Sequence, residues 1–321
     1  MHFAHAWAGR ILGPMAISLL QRRPAAATAP AGGRSGRLAG VALMLGSGLS
    51  NQVGAATGAL AFPVIGPAGV VAVRQWVAGV VLLAIGRPQV RRFTWRQWWP
   101  VLSLALVFAT MNLSLYTSID RIGLGLAVTL EFLGPLTVAL AASRRALDLV
   151  CAAFAGVAVV VLARPQPTTD YLGMALALLA AVCWACYILL NRVIGRRLPG
   201  AEGSAAAAGL SALAYVPIGI ATFVHHPPTA TALREAAAAG VLSSAVPFLA
   251  DMLALRRVPA RLFGVFMSVN PVLAALVGLV VLDQGLGWPE WLAIAAIVTA
   301  NTVSVLAAGR RTAEGSSGRP G

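Results

Sequence analysis

The stretch "IGLGLAVTLEFLGPLTVAL", residues 122–140, is apolar enough and long enough to cross a bilayer. It carries one carboxylate, Glu131, near its middle and a proline, Pro135, four residues later. A charged side chain at mid-membrane costs about 2.5–3.5 kcal/mol on insertion scales, so it usually lines a cavity or meets a partner. The stretch therefore predicts both a membrane-spanning helix and a functional group within it.

Composition indicates that the protein is built from several such segments. Of its 321 residues, 59% are hydrophobic and 11% are charged, and the mean hydropathy is +0.81, whereas about a quarter of the residues in soluble domains are charged. The predicted fold is therefore an all-α integral membrane protein in a lipid bilayer. Apolar segments of about 20 residues predict ten transmembrane helices, over 38–56, 67–86, 98–117, 122–142, 146–163, 170–191, 204–224, 236–255, 260–282 and 288–308.

The distribution of basic residues predicts how these helices are oriented. The chain has 24 basic residues, all of them arginine, and a formal net charge of +14. When loops are assigned alternately to two sides, twenty arginines lie on the side of both termini; Arg121, Arg164 and Arg234 lie on the other side, and Arg74 lies inside a helix. Because cytoplasmic loops are rich in Lys and Arg, both termini are predicted to be cytoplasmic, in a multi-pass protein of the cell membrane. The charge is thus a topology signal, and no nucleic-acid partner is expected.

Both ends of the chain are predicted to be tails. Residues 1–37 include "ILGPMAISLL", which faintly resembles a secretory signal, but cleavage near Ala29 would leave Arg34 and Arg37 outside, against the charge bias. A cytoplasmic tail or an overlong start-site assignment is the preferred interpretation. Residues 309–321 are likewise expected to form a disordered cytoplasmic tail.

An internal repeat relates the two halves of the chain. Placing residue n against n+136 aligns "YTSIDRIGLGLAVTLEFLGPLTVAL" with "MLALRRVPARLFGVFMSVNPVLAAL", so that Pro135 falls on Pro271. The ten helices thus divide into two five-helix repeats, over 38–163 and 164–308. Because five is odd, the second repeat is predicted to enter the membrane inverted, which is a common architecture of secondary transporters. A duplicated channel or scaffold stays open as an alternative.

Three ionisable residues fall inside predicted helices: Arg74, Glu131 and Asp251. At about 1.5 Å per residue from the assumed outer helix ends, Arg74 lies roughly 10 Å deep and Glu131 roughly 13 Å deep, so the two could meet. A permanent ion pair that only fixes helix packing is the alternative to a functional site. Asp251 lies close in sequence to Arg256 and Arg257, and a salt bridge near the cytoplasmic surface explains it as well as a role in the path does.

Polar residues near these charges extend the candidate site. Asn112 and Tyr116 in the third predicted helix lie on one side of that helix, and together with Gln75 they are expected to form a polar vestibule. An interhelical hydrogen bond is the alternative for Asn112. Asn51 and Gln52 in the first helix are further candidates to face the same cavity.

Two prolines are predicted to interrupt helices beside the site. Pro135 cannot donate a hydrogen bond to the carbonyl of Glu131, which is therefore freed beside its own carboxylate. Pro271 has the same effect on the carbonyl of Met267. Backbone polarity is tolerated at membrane depth only where protein or a water-filled cavity covers it, so these breaks indicate a buried polar spot, with a simple packing kink as the alternative.

Two stretches carry a resemblance to a known family. "NLSLYTSIDRIGLGLAVTLEFLGPLTVAL" and "PFLADMLALRRVPARLFGVFMSVNP" resemble EamA-type, ten-helix members of the drug/metabolite transporter superfamily, and among them the bacterial inner-membrane exporters of threonine and homoserine. The resemblance covers roughly residues 38–308 and implies a proton-driven exporter of small neutral amino acids and their analogues. The matching positions are Asn112, Tyr116, Arg121, Glu131, Gly134 and Pro135 in the first half, and Pro247, Arg257, Pro259, Arg261, Phe263, Gly264, Met267 and Pro271 in the second.

The chain departs from the pattern of those exporters in its second half. Asn270 stands where they have an acid before the second proline, and it is included among the candidate site residues. Asp251 stands where they have Glu, and Asp283 with Gln284 stands where they have a Gly-Glu pair. These departures leave the substrate and the coupling stoichiometry open.

Together these features predict a proton antiporter that works by alternating access. Arg74 would attract the carboxylate of a small amino acid or analogue, while Glu131 binds either a proton or the substrate ammonium group. A different cargo, such as a vitamin, drug or nucleotide-like metabolite, and a non-transporting scaffold or channel are the alternatives. An enzyme is not expected, because the four histidines lie in the N-terminal tail and in one loop and no two acids are spaced for a metal. No cofactor or metal is expected, and a homodimer is an open alternative.

Overall fold

The computed structural model describes residues 34–141, 170–199, 201–247, 250 and 268–317. Within these residues all regular secondary structure is helical. A 3₁₀ turn (Val90–Arg92) and a π-helical turn (Val241–Ala245) accompany ten α-helical segments. The segments are α1 (Arg34–Leu60), α2 (Phe62–Gly86), α3 (Trp95–Ile122), α4 (Leu124–Glu131), α5 (Leu133–Ala141), α6 (Tyr171–Gly195), α7 (Glu202–His225), α8 (Ala230–Gly240), α9 (Asn270–Leu282) and α10 (Trp288–Ser317).

Four of these helices, α2, α3, α6 and α7, are long and apolar enough to cross a membrane, with mean hydropathies between 1.5 and 2.3. The stretch shared by α4 and α5, together with α9 and the first part of α10, forms shorter apolar segments. The prediction of an all-helical protein with several membrane-spanning helices is therefore confirmed in the described part of the chain. The predicted helix over 146–163 lies outside the described residues.

Glycine and proline set several of the helix boundaries. Gly66 has a φ of 64° and interrupts α2 just before Pro67, the residue at which the second transmembrane helix was predicted to begin. Gly123, with a φ of 83°, separates α3 from α4. Because only glycine adopts such angles without strain, the glycines at these two positions permit the helices to be interrupted there.

Several predicted boundaries differ in the structure. The last helix, α10, continues to Ser317, so most of the tail predicted over 309–321 is helical and not disordered. The single helix predicted over 122–142 is divided into α4 and α5, which are separated at Phe132. The helix predicted to begin at residue 236 begins at Ala230, because the Thr229 hydroxyl accepts a hydrogen bond from Ala232 N at 3.2 Å and caps the first turn. The extra turns are less apolar than the window that predicts a membrane span, so hydropathy alone misses them.

The helices pack so that the first and last parts of the chain interleave. α2 packs along α7, and α3 packs along α6. α1 packs on α8, on the π-helical turn and on α9, while α6 also contacts α4 and α5. Small residues permit these approaches, as expected for membrane helices: a Cβ at Gly54 of α1 would collide with Ser243, and one at Gly79 of α2 would lie 2.7 Å from the Ala212 Cβ.

Candidate functional site

A cavity of about 280 Å³ lies where these helices meet. Residues from α1, α2, α3, α4, α6, α9 and the π-helical turn line it, so both halves of the chain contribute. Its walls include the aromatic side chains of Phe108, Phe132, Trp184 and Tyr187. Among the residues that the sequence predicts to face the cavity, those on its wall are Asn51, Gln52, Arg74, Asn112, Tyr116, Glu131 and Asn270.

Arg74, on α2, is anchored by three neighbours. Its guanidinium donates to Asn112 Oδ1 on α3 and, at 3.4 Å, to the carbonyl of Ser243 in the π-helical turn. Its Cζ lies 5.0 Å from the centre of the Tyr116 ring, which gives a cation–π contact. The Nε atom is buried and has no hydrogen-bond partner. The guanidinium is therefore oriented by the protein and retains unused N–H donors, the one on Nε among them.

Glu131 is the last residue of α4, and its side chain is 6% exposed. The helix stops at this residue and resumes as α5 at Leu133, with Pro135 in the first turn of α5. The predicted interruption at this point is thus present in the structure. Phe132, between the two helices, packs edge-to-face on Trp184 with ring centroids 4.6 Å apart. The break places a carboxylate on the cavity wall beside an aromatic pair.

Arg74 and Glu131 face the same cavity without forming an ion pair. Among the described residues Arg121 pairs with Asp170, whereas no nitrogen of Arg74 lies within 4.0 Å of the Glu131 carboxylate. Glu131 makes no hydrogen bond to another described residue either. The alternative of a closed ion pair that only fixes packing is therefore wrong for this structure.

The two glutamines discussed for the site have different places. Gln75, predicted to belong to the polar vestibule, does not line the cavity: its Nε2 donates to Ser211 Oγ at 2.8 Å and to the Phe108 carbonyl at 3.3 Å. Gln52, on α1, does line the cavity and donates from Nε2 to Asn270 Oδ1 at 3.3 Å. Of these two glutamines, only Gln52 is thus on the wall.

Unsatisfied polar atoms concentrate around this cavity. In the described part of the chain five buried side-chain polar atoms lack a hydrogen-bond partner, and three of them, Gln52 Oε1, Arg74 Nε and Tyr116 OH, belong to residues on the cavity wall. A buried polar group without a partner costs about 1–3 kcal/mol. Such costs are accepted where another molecule supplies the missing partners, so this cavity is the candidate binding site.

The second-half predictions are only partly within the described residues. Asp251 and Met267 lie outside them. Pro271 is in the first turn of α9, which begins at Asn270 after a turn at Ser268 and Val269. Among the described residues no three His, Cys, Asp or Glu side chains are grouped as a metal site would require.

Sequence reasoning missed several wall residues, namely Trp184 and Tyr187 on α6 and Ser243 in the π-helical turn. The n+136 alignment of the sequence analysis contains a signal for two of them. Adding 136 to Gly48 and Asn51 of α1, which line the cavity, gives Trp184 and Tyr187. On the n+136 alignment, two residues of α6 on the wall therefore correspond to two residues of α1 on the wall.

Comparison with known proteins gives consistent matches. The model of the EamA-like transporter family matches residues 171–306. The threonine/homoserine exporter RhtA of Salmonella typhimurium strain LT2 is 37% identical over 260 residues, which are 80% of this chain and 88% of that protein. The protein of the same name from Escherichia coli K12 is 36% identical over 269 residues, 83% of this chain and 91% of the relative. A crystal structure with 21% identity and a TM-score of 0.53 covers 86% of this chain and 98% of its own, and shows a shared fold.

Proposed function

The chain belongs to the EamA-like transporter family, and on that premise we propose that it exports small neutral amino acids such as threonine and homoserine in exchange for protons. One observation carries the proposal: a guanidinium with an unused donor and an unpaired buried carboxylate face the same cavity. An amino acid is a zwitterion that brings the opposite charge to each.

The cavity suits a ligand of this kind in chemistry and in size. Arg74 binds the α-carboxylate, to which a guanidinium donates well-directed, charge-assisted hydrogen bonds. Glu131 binds the α-ammonium group. The volume of about 280 Å³ lies just below the roughly 300–1,000 Å³ of pockets for drug-sized ligands. The cavity therefore has room for a small metabolite, and its opposite charges suit a zwitterion.

Glu131 is also the residue that couples transport to protons. Burial away from water favours the neutral carboxylic acid, whereas a bound ammonium group favours the carboxylate. Substrate and proton therefore exclude each other at one side chain. This exclusion is sufficient for antiport, provided that the loaded site opens alternately to the two sides of the membrane.

Two inverted five-helix repeats, 38–163 and 164–308, provide that alternation. Adding 136 to the bounds of α1 gives 170–196, which nearly coincides with α6, Tyr171–Gly195. The packing partners correspond as well. α1 packs on α8 and α9, and its equivalent α6 packs on α3, α4 and α5, which include the equivalents of α8 and α9.

One hydrogen bond gives the repeat independent support. Gln75 and Ser211, which donate and accept at 2.8 Å, are separated by 136 residues. A residue contacts its own equivalent only near the axis that relates two repeats. We place this axis at the crossing of α2 and α7, with both termini on the cytoplasmic side as the arginine distribution predicts.

Reconstituted vesicles test the proposal. The purified full-length chain is inserted into liposomes that are acidic inside, and uptake of labelled threonine and homoserine is followed. We expect saturable accumulation that a protonophore abolishes, because an outward proton flow drives an antiporter in reverse. Uptake that is not saturable and ignores the gradient favours a channel or scaffold; absence of uptake of both amino acids, in vesicles that accumulate another metabolite, assigns a different cargo.

A further inference from the structure

The side-chain amides of Gln52 and Asn270 are hydrogen-bonded to each other in the cavity wall. Binding of the α-carboxylate and α-ammonium groups of an amino acid does not require them. Gln52 is 2% exposed and Asn270 is 5% exposed. Gly48, one turn before Gln52 on α1, makes room for the pair, because a Cβ there would lie 2.9 Å from Asn270 Oδ1. The absence of a side chain at Gly48 therefore lets the amide of Asn270 reach Gln52.

This contact determines which atom of Gln52 stays unused. Its Nε2 is committed to Asn270 Oδ1 at 3.3 Å, and its Oε1 is buried without a hydrogen-bond partner. An amide oxygen only accepts hydrogen bonds. A ligand that satisfies Gln52 must therefore bring a donor.

We propose that Gln52 Oε1 accepts a hydrogen bond from the side-chain hydroxyl of the substrate, so that the protein selects hydroxylated amino acids over their deoxy analogues. This inference rests on the proposed function. The α-carboxylate is bound by Arg74 and the α-ammonium group by Glu131, which leaves the hydroxyl as the third polar group of threonine or homoserine. The neutral hydroxyl suits the neutral amide oxygen of Gln52, whereas the ammonium group forms a stronger, charge-assisted hydrogen bond with the Glu131 carboxylate.

A single analogue tests this selectivity. Removing the hydroxyl from either threonine or homoserine gives 2-aminobutyrate, which keeps the zwitterion and loses only the group that Gln52 would read. We expect the KM of the wild-type protein for 2-aminobutyrate, measured by uptake into vesicles that are acidic inside, to be higher by about tenfold or more. Labelled threonine, homoserine and 2-aminobutyrate are measured separately.

Gln52→Met, which preserves length but lacks the amide, identifies the residue responsible. The KM values for threonine and homoserine should rise to the value for 2-aminobutyrate, and the KM for 2-aminobutyrate should stay within about twofold. If the methionine variant does not reach the membrane, Gln52→Asn, whose amide is withdrawn by one methylene, should also reduce the ratio. An equal rise for all three amino acids would mean a packing role and would overturn the inference.

The failure of this inference is distinct from the failure of the proposed function. Wild-type protein that transports all three amino acids equally well is still an amino-acid exporter, but Gln52 does not select its substrate. The same holds if a ratio of tenfold survives in both variants. Wild-type protein that transports none of the three overturns the proposed function, and the selectivity with it.

Discussion

Two arginine–carboxylate pairs in this protein are arranged in opposite ways. At the surface, Arg121 Nε lies 2.9 Å from Asp170 Oδ2, with the side chains 38% and 28% exposed. Within the bundle, Arg74 and Glu131 face one cavity and are not paired. The exposed pair is closed and the buried pair is open, although attraction between charges is much stronger away from water.

This difference separates a structural contact from a functional one. Exposed ion pairs contribute about 0–1 kcal/mol, because water and salt screen them, and leaving such a pair open would cost little. Leaving buried charges unpaired is costly. If the proposed function holds, a ligand that carries both complementary charges offsets this cost, and a closed Arg74–Glu131 pair would occupy the groups that this ligand needs.

Removing the buried carboxylate should have the largest effect. In Glu131→Gln the side chain can still accept a hydrogen bond from the ammonium group, but it no longer binds and releases a proton. We expect gradient-driven accumulation of threonine to fall to the level of protein-free vesicles. Exchange of labelled for unlabelled threonine across the membrane, which needs no proton movement, should remain detectable.

A matched control is available on α8. Glu235 is also a helical glutamate, lies outside the cavity and is partly exposed, so Glu235→Gln should leave accumulation unchanged. If Glu131→Gln accumulates threonine as the wild-type protein does, the buried carboxylate does not couple transport, and the open pair has only a structural meaning.

Replacing the buried arginine by lysine should have an intermediate effect. Arg74→Lys preserves the charge but loses the planar group that reaches Asn112 and the Ser243 carbonyl together. We expect the KM for threonine to rise about tenfold, while a protonophore still abolishes uptake. Arg87→Lys, an exposed position just beyond α2, is the control. An unchanged KM in Arg74→Lys would show that the substrate carboxylate binds elsewhere.

The fold was more accessible from the sequence than the orientation of single side chains. Predicted bounds of 170–191 lie close to α6, Tyr171–Gly195, because a bilayer demands an apolar length that hydropathy measures directly. The depth of a residue in the membrane also follows from counting residues along a helix, and this count predicts similar depths for Arg74 and Glu131. Counting does not give rotation about the helix axis: neighbours differ by about 100°, so Gln75 faces Ser211 while Arg74 faces the cavity.

Some features have no local signal at all. The π-helical turn Val241–Ala245 arises in a sequence of ordinary helix-compatible residues, and its place depends on contacts with α1: Ser50 Oγ donates to the Leu242 carbonyl at 2.8 Å, and Ser243 Oγ donates to the Asn51 carbonyl at 2.9 Å. Such contacts form between residues 192 positions apart. The sequence of the turn alone therefore could not predict that the Ser243 carbonyl accepts a hydrogen bond from Arg74.

Breaking the exposed pair should have the smallest effect. Asp170 caps α6 by accepting from Gly173 N at 2.8 Å, and this hydrogen bond, followed by that from Arg121, holds the pKa of the carboxyl below its ordinary value. Asn is as good a cap as Asp, so Asp170→Asn removes the charge and keeps the cap. We expect a small decrease in unfolding temperature in detergent at pH 7 and unchanged threonine uptake.

The pH dependence of the decrease in unfolding temperature caused by Asp170→Asn is the most specific test of the comparison between the exposed and the buried pair. A carboxyl with a lowered pKa contributes stability that is complete above its ordinary pKa of about 3.9 and is lost as the pH falls through the lower, folded-state value. The difference in unfolding temperature between wild-type protein and Asp170→Asn should therefore vanish in acid, and 1 M salt should reduce it at pH 7 because the pair is exposed. Asp170→Ala, which also removes the cap, should lose more stability at both pH values. If Asp170→Asn instead abolishes uptake, as Glu131→Gln is expected to do, the Arg121–Asp170 pair takes part in the transport cycle. The exposure of a pair then does not tell whether its role is structural or functional.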